Sequence, residues 1–220
     1  MLVLCLDTAT ADVAVALVQV TPEGSTTRSV GTRRDPRGAG EHLIPLVLET
    51  LAATGAVLPD VSALAVGLGP GPFTGLRAGV VTGAVLARTL GIPAYGVCSL
   101  DAFAAPNVVA TTDARRREVY WAAYDDGARR VAGPAVDRPA DLVARVSRRT
   151  FVGPGVEVYP DVLGGGASEP SPPYPVARLA DLAAGRLLAK AAGEVLVPLY
   201  LRRPDAAEPT AARSSIGGAA

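Results

Sequence analysis

Lysine is all but missing from this chain: of 21 basic residues, only Lys190 is not arginine. A phosphate loop that relies on a lysine beside its glycines therefore cannot form near the chain's glycine-rich segment. Histidine occurs once, at His42, and cysteine twice, at Cys5 and Cys98. Two isolated cysteines in apolar runs give no disulfide framework. One histidine falls short of the ligand set of a usual catalytic zinc site. Net charge is absent too, because 21 basic residues meet 21 acidic ones. Broad electrostatic binding of nucleic acid or an acidic membrane by this chain alone is not expected, since it rests on neutralising many phosphates. No apolar run is long enough to span a bilayer. The start, "MLVLCLDTATADVAV", lacks a cationic leader region and is interrupted by Asp7 and Asp12, so it is not read as a signal peptide. The cytoplasm is the expected location, with no membrane partner.

What is present is a globular composition, 49% hydrophobic and 19% charged over 220 residues, enough for one large domain or two small ones. "LVLCLDTA" and "DVAVALVQV" read as two strands joined by a tight turn at Thr8 to Ala11. "TPEGSTT" reads as a second turn, and "RSVGTRR" as a third strand. From Glu41 to Ala53 apolar residues recur at helical spacing. Leu43, Val47 and Leu51 form one row with Ile44 and Leu48 beside it, a width that predicts cover on more than one side. Pro45 predicts a short or kinked first turn. "VSALAVGLG" predicts a buried strand, and "LRAGVVTGAVLARTLG" a helix stopped by Gly91. "IPAYGV" is a further strand, and "CSLDAFAA" a short helix with Ser99 as its cap. After Pro106, "NVVATTDA" and "EVYWAAYDD" predict a hairpin tipped by three arginines. "FVGPGVEVYP", the connector "LGGGASEPSPPYP" and the amphipathic "VARLADLAAGRLLAK" follow. The order predicts an α/β fold of the RNase-H-like type, with mixed sheets and an N-terminal antiparallel hairpin. Its expected units are a lobe over 1–105, a smaller lobe over 106–203 and a disordered tail over 204–220.

The stretch Gly67 to Gly79, "GLGPGPFTGLRAG", suggests a nucleotide loop. Counting from Gly67 or Gly69, however, the third glycine of a dinucleotide fingerprint falls on Pro72 or Thr74. A tight strand-to-helix turn is the better reading. A weaker anion site at the helix start, with Gly69 and Gly71 near it, stays open, as does a cap by Thr74. Inside the helix, Gly75, Gly79 and Gly83 recur every four residues. Such a row, costing roughly 1 kcal/mol per glycine, calls for close approach by something. The chain's own sheet and a helix of another subunit are both open readings.

"DTAT" at Asp7 to Thr10 has the residues of a phosphate-binding hairpin, with Asp7 ordering a metal-bound water and Thr8 or Thr10 meeting phosphate oxygens. A simple Asx or Ser/Thr turn explains the same residues. His42 reads as a packing or hydrogen-bonding residue, and no G-x-S-x-G elbow is present. "DARRRE" reads either as a basic RNA contact or as an exposed hairpin tip.

Taken together, "LCLDTATADVAVALV", "GEHLIPLV", the block from Gly67 to Ala102, "DARRREVYWAAYDDG", "FVGPGVEVYPDVL" and "VPLYLR" resemble the TsaB (YeaZ) family. The resemblance implies two lobes of the actin-like ATPase superfamily. It also implies a non-catalytic scaffold and activating subunit of the complex that forms N6-threonylcarbamoyladenosine at position 37 of tRNAs reading ANN codons. Its implied partners are a TsaD-like transferase and a TsaE-like ATPase, with a homodimer when alone and tRNA met only through the complex. No intrinsic cofactor is implied, though ATP or ADP is expected at an interface of the complex. Where TsaD carries the two histidines of N-H-x-E-x-H, this chain has Ser99 and Phe103, so the transferase metal site is expected to be absent. The implied partner surface comprises His42, Leu43, Leu46 and Val47 on one helix and Leu76, Gly79, Val80 and Gly83 on the other. An arginine at Gly79 is accordingly expected to weaken association and leave the monomer folded. An independent metallopeptidase, an ATP-using enzyme and a nucleotide-sensing module are the alternatives.

Overall fold

Strand β1, Leu2–Asp7, alternates its side chains between two covered faces. Val3 and Cys5 point one way, Leu4 and Leu6 the other, and all four are buried, the pattern of a central strand in a layered sheet. It pairs antiparallel with β2, Asp12–Thr21, which pairs in turn with β3, Gly24–Arg34. The β2–β3 turn is only Pro22 and Glu23, because Thr21 already pairs with Gly24, so most of the expected second turn is strand. β4, Ala63–Gly67, and β5, Ala94–Val97, run parallel to β1 and complete a sheet of order β3-β2-β1-β4-β5. The computed structural model describes residues 1–35, 38–146, 149–164 and 174–202.

Helices α1, Ala39–Ala52, and α2, Phe73–Leu90, supply the crossovers and cover one face of this sheet. α1 runs through Pro45, which lies in its second turn. α2 ends where expected: Gly91 is left-handed at φ 65° and its N–H reaches back to the last turn. Its start has no side-chain cap, and Pro72, not Thr74, occupies the capping position.

A second sheet repeats the first with its last strand missing. β6, Val108–Asp113, β7, Val119–Tyr124, and β8, Arg130–Asp137, form an antiparallel meander, and β9, Thr150–Val152, returns parallel to β6 after helix α3, Pro139–Arg145. The order is β8-β7-β6-β9. Short helices α4, Pro154–Val158, and α5, Pro160–Leu163, follow. The chain is thus an α/β protein of two RNase-H-like lobes, related by strand order though not by recognisable sequence.

The expected boundary of 106–203 for the second lobe needs correction. Helix α6, Arg178–Leu188, returns to the first sheet, where Leu179, Ala180, Ala183 and Leu187 pack with Val3, Cys5, Ala14 and Ala16. Burial of each of those leucines contributes roughly 2 kcal/mol. Residues 189–202 then form a strap without helix or strand. Leu196 packs against α2, the Leu199 N–H donates to the Leu68 carbonyl, and Leu199 and Leu201 pack on the second lobe's core. Most of the predicted flexible connector (165–173) and the tail (204–220) lie outside the described residues. Tyr174, at the connector's end, is among the largest fully buried side chains.

Candidate functional site

Where β1 ends, the chain turns through Thr8 to Ala11 beneath the start of α2. Asp7 there is 1% exposed. One carboxylate oxygen accepts the Ala9 N–H at 2.7 Å; the other accepts the Ser99 hydroxyl at 2.6 Å and the Tyr174 hydroxyl at 2.8 Å. Ser99 accepts the Gly69 N–H at 3.0 Å, and the Tyr174 hydroxyl also lies 3.0 Å from the Ser99 carbonyl. Burial pushes the Asp7 carboxyl above its ordinary range, against the pull of these donors. Burial, followed by the neighbouring Asp7 charge, pushes the Tyr174 phenol upward. Ser99 begins a 3-10 turn, Ser99–Phe103, but it does not cap it, because its hydroxyl is committed to Asp7.

Thr8 explains the glycine row. Its hydroxyl donates to the Gly75 carbonyl at 2.7 Å and accepts the Gly79 N–H at 3.1 Å, so it binds both ends of one helical hydrogen-bond position. A Cβ on Gly79 would lie 2.3 Å from that oxygen. A Cβ on Gly83 would meet Val66 of β4 at 2.7 Å, one on Gly71 the Ala9 carbonyl at 2.3 Å, and one on Gly67 the Asp7 carboxylate at 1.7 Å. Of the two readings left open by the spacing, approach of the chain's own sheet and turn is the one realised.

This geometry corrects the expected nucleotide set of Asp7, Thr8, Thr10, Gly69 and Gly71. Asp7 and Thr8 are buried and fully engaged. Gly69 gives its N–H to Ser99, and Gly71 lies against Ala9. Thr10 only closes a local turn, accepting the Asp12 N–H at 3.1 Å. The Phe103 ring packs edge-on against Tyr174 at 5.4 Å. Among the described residues, no three His, Cys, Asp or Glu side chains come together as a metal would need. Both thiols are buried and free; burial raises them, Cys98 to about 11, so neither is reactive.

The implied partner residues are corrected as well. Leu43, Leu46, Val47, Leu76, Gly79, Val80 and Gly83 all face inward. Only His42 is partly exposed, held 3.0 Å from Asp35 and 3.5 Å from Arg33. The outward faces of the same two helices carry other residues. Ile44 and Leu48 on α1 are 41% and 51% exposed, and Val81 and Val85 on α2 are 58% and 56% exposed. The helices lie against each other on one face of the sheet. Ile44 and Leu48 belong to the second apolar row visible in the sequence, and the described residues do not provide the cover predicted for that row. Val81 and Val85 sit two positions beyond Gly79 and Gly83, about 200° around the helix. The requirement for glycine on the inner face was the signal that places them outside.

Comparison with known proteins bears on what such a surface serves. A family model described as TsaD, tRNA N6-adenosine threonylcarbamoyltransferase, matches residues 37–185. An uncharacterised protein of Mycobacterium tuberculosis is 43% identical over 93% of this chain and 93% of its own length. The tRNA threonylcarbamoyladenosine biosynthesis protein TsaB of Escherichia coli is 38% identical over 56% of this chain and 55% of its own. The solved structure of YeaZ from Pseudomonas aeruginosa superposes with a TM-score of 0.69 at 27% identity, covering 90% of this chain and all of that one. No helix among the described residues is long and apolar enough to cross a membrane. From the paired lobes, the glycine-lined α2 and these likenesses, the chain belongs to the TsaB (YeaZ) family.

Proposed function

We propose that this chain takes part in forming N6-threonylcarbamoyladenosine at position 37 of tRNAs reading ANN codons, as a non-catalytic scaffold and activating subunit. Its partners are a TsaD-like transferase and a TsaE-like ATPase, and alone it pairs with a second copy. The observation that carries the reading is the outward apolar row on each of two adjacent helices, Ile44 and Leu48 on α1 and Val81 and Val85 on α2. Exposed apolar surface of this kind marks an interface. A non-catalytic role is supported by the fate of the two positions aligned with the transferase histidines. Ser99 is spent on Asp7, and Phe103 packs on Tyr174. ATP or ADP is assigned to an interface of the complex and not to Asp7, whose oxygens are taken by the chain's own donors.

The test combines reconstitution with a surface variant. The purified chain is expected to transfer no threonylcarbamoyl group, and activity is expected once TsaD and TsaE homologues are added. Val81→Asp with Val85→Asp should weaken binding to TsaD by about thirtyfold or more, the effect of losing hot-spot contacts worth about 2 kcal/mol. Both positions are more than half exposed, so the melting temperature of the monomer should hardly move. Peptidase activity with stoichiometric zinc or iron, or ATP turnover by the chain alone, would overturn the assignment.

A further inference from the structure

The outward row of α2 is longer than its two valines. Phe73, Arg77, Val81 and Val85 recur every four residues and so share one stripe of the helix. Phe73 is half-buried and Arg77 exposed. Tyr200, itself exposed, comes to this stripe from the strap. Its ring lies 5.0 Å from that of Phe73, and its hydroxyl accepts the Arg77 Nε–H at 3.1 Å. The Arg77 guanidinium carbon sits 4.1 Å from the centre of the Phe73 ring, a cation–π distance. Two aromatic side chains thus hold this guanidinium, and no carboxylate among the described residues pairs with it. Arg33, Arg34 and Arg186, by contrast, each meet a glutamate. The bond to Tyr200 uses only Nε–H, which leaves the two Nη groups as a planar pair of donors. Leu199 and Leu201, on either side of Tyr200, pack on the second lobe's core, so the ring is held from both sides. A guanidinium already ordered in the free chain has less rotamer freedom left to lose on binding. Arginine and tyrosine are also the side chains that carry much of the binding energy at protein interfaces.

We propose that Arg77, braced by Phe73 and Tyr200, receives a carboxylate of the TsaD-like transferase and anchors one end of its interface. The proposal rests on the partner-binding reading given above and adds to the apolar row a charged contact that fixes register. It also makes the strap part of the docking face. Having accepted from Arg77, the Tyr200 hydroxyl keeps its own proton to donate to the same acid. The complementary chemistry is therefore an Asp or Glu side chain flanked by apolar ones.

The experiment measures the affinity of the full chain for a TsaD homologue across a salt series, with self-association and melting temperature followed in parallel. Arg77→Ala should weaken TsaD binding about thirtyfold near 0.1 M salt, the effect of losing a hot-spot arginine. Wild-type binding should weaken as salt rises from about 0.05 to about 0.5 M, and Arg77→Gln should lose much of that dependence. Arg77→Lys keeps the charge but not the planar pair of donors, so it should recover only part of the affinity. Tyr200→Phe keeps the ring against Phe73 and removes the hydroxyl, and should weaken binding about fivefold. Melting temperatures should hardly move, because Arg77 and Tyr200 are both exposed. Unchanged TsaD affinity in Arg77→Ala and Tyr200→Phe, with Val81→Asp and Val85→Asp still disruptive, would overturn the proposal and leave the interface reading standing. Loss of self-association alone would overturn it by giving the anchor to a second copy. Weakened binding with an unaltered salt dependence and a lowered melting temperature would overturn it by reducing the cluster to a clasp for the strap. A wild-type chain that does not bind TsaD would remove the functional reading itself.

Discussion

Gly79→Arg is expected to leave little folded protein, so any loss of partner binding in that variant reports unfolding and not a damaged interface. The first atom of the new side chain would lie 2.3 Å from the Thr8 hydroxyl. Thr8 cannot simply rotate away, because that hydroxyl holds the Gly75 carbonyl and the Gly79 N–H and the residue is 2% exposed. Overpacking costs about 1–3 kcal/mol. The two disrupted hydrogen bonds cost about 1 kcal/mol each, and a guanidinium forced between α2 and the sheet adds several more. The sum, about 5 kcal/mol or above, approaches the whole stability of a typical domain. Circular dichroism of the purified variant would check it. A cooperative melt near the wild-type temperature would contradict the packing described for α2.

The second large effect belongs to Asp7. Its carboxyl is pushed up by burial, so the folded chain holds a proton that the unfolded chain has already shed. This contribution to stability is fully present below the ordinary aspartate pKa and is lost as pH rises through the raised value. Asparagine mimics the protonated form, for Tyr174 can turn its proton to the Ser99 carbonyl 3.0 Å away. Urea midpoints measured from acid to neutral pH should therefore show Asp7→Asn gaining on the wild type as pH rises, then levelling. Parallel profiles would refute the assignment. Asp7→Ala should instead cost about 2–4 kcal/mol at acid pH, and less as pH rises, because it strands the Ala9 N–H and the Ser99 hydroxyl in a buried site.

Local patterns in the sequence reach most of the first lobe. The alternation in β1 and β2, the stop at Gly91 and the failure of Gly67–Gly79 to fit a phosphate loop all follow from neighbouring residues. What escapes are features set by distant ones. Tyr174 meets Asp7 across 167 positions, and it lies in a stretch rich in Pro, Gly and Ser that gives no sign of a core residue. Ser99 resembles a cap because capping is the commonest local use of serine at such a place; its actual use depends on a strand end far away in sequence. The faces of α2 are hard to assign for another reason. Val80 and Val81 are equally apolar, and which is buried depends on the glycines that let Thr8 and Val66 approach. In the second lobe, the strand order repeats that of the first without any repeat of residues, so the duplication is visible only in the topology.

The return of α6 to the first sheet has a consequence for the order in which the protein can be made. As the chain emerges during synthesis, β1 to β5 and the helices α1 and α2 are complete long before Arg178 appears. Until then Val3, Cys5, Ala14, Ala16 and Val18 lack the cover that α6 provides. The second lobe, whose elements are contiguous from Val108 to Leu163, can form its sheet before α6 appears, although Leu199 and Leu201 of the strap reach its core later still. The N-terminal lobe waits for the C-terminal end of the chain, with one face of its sheet open to chaperones, to aggregation or to a premature partner throughout that interval.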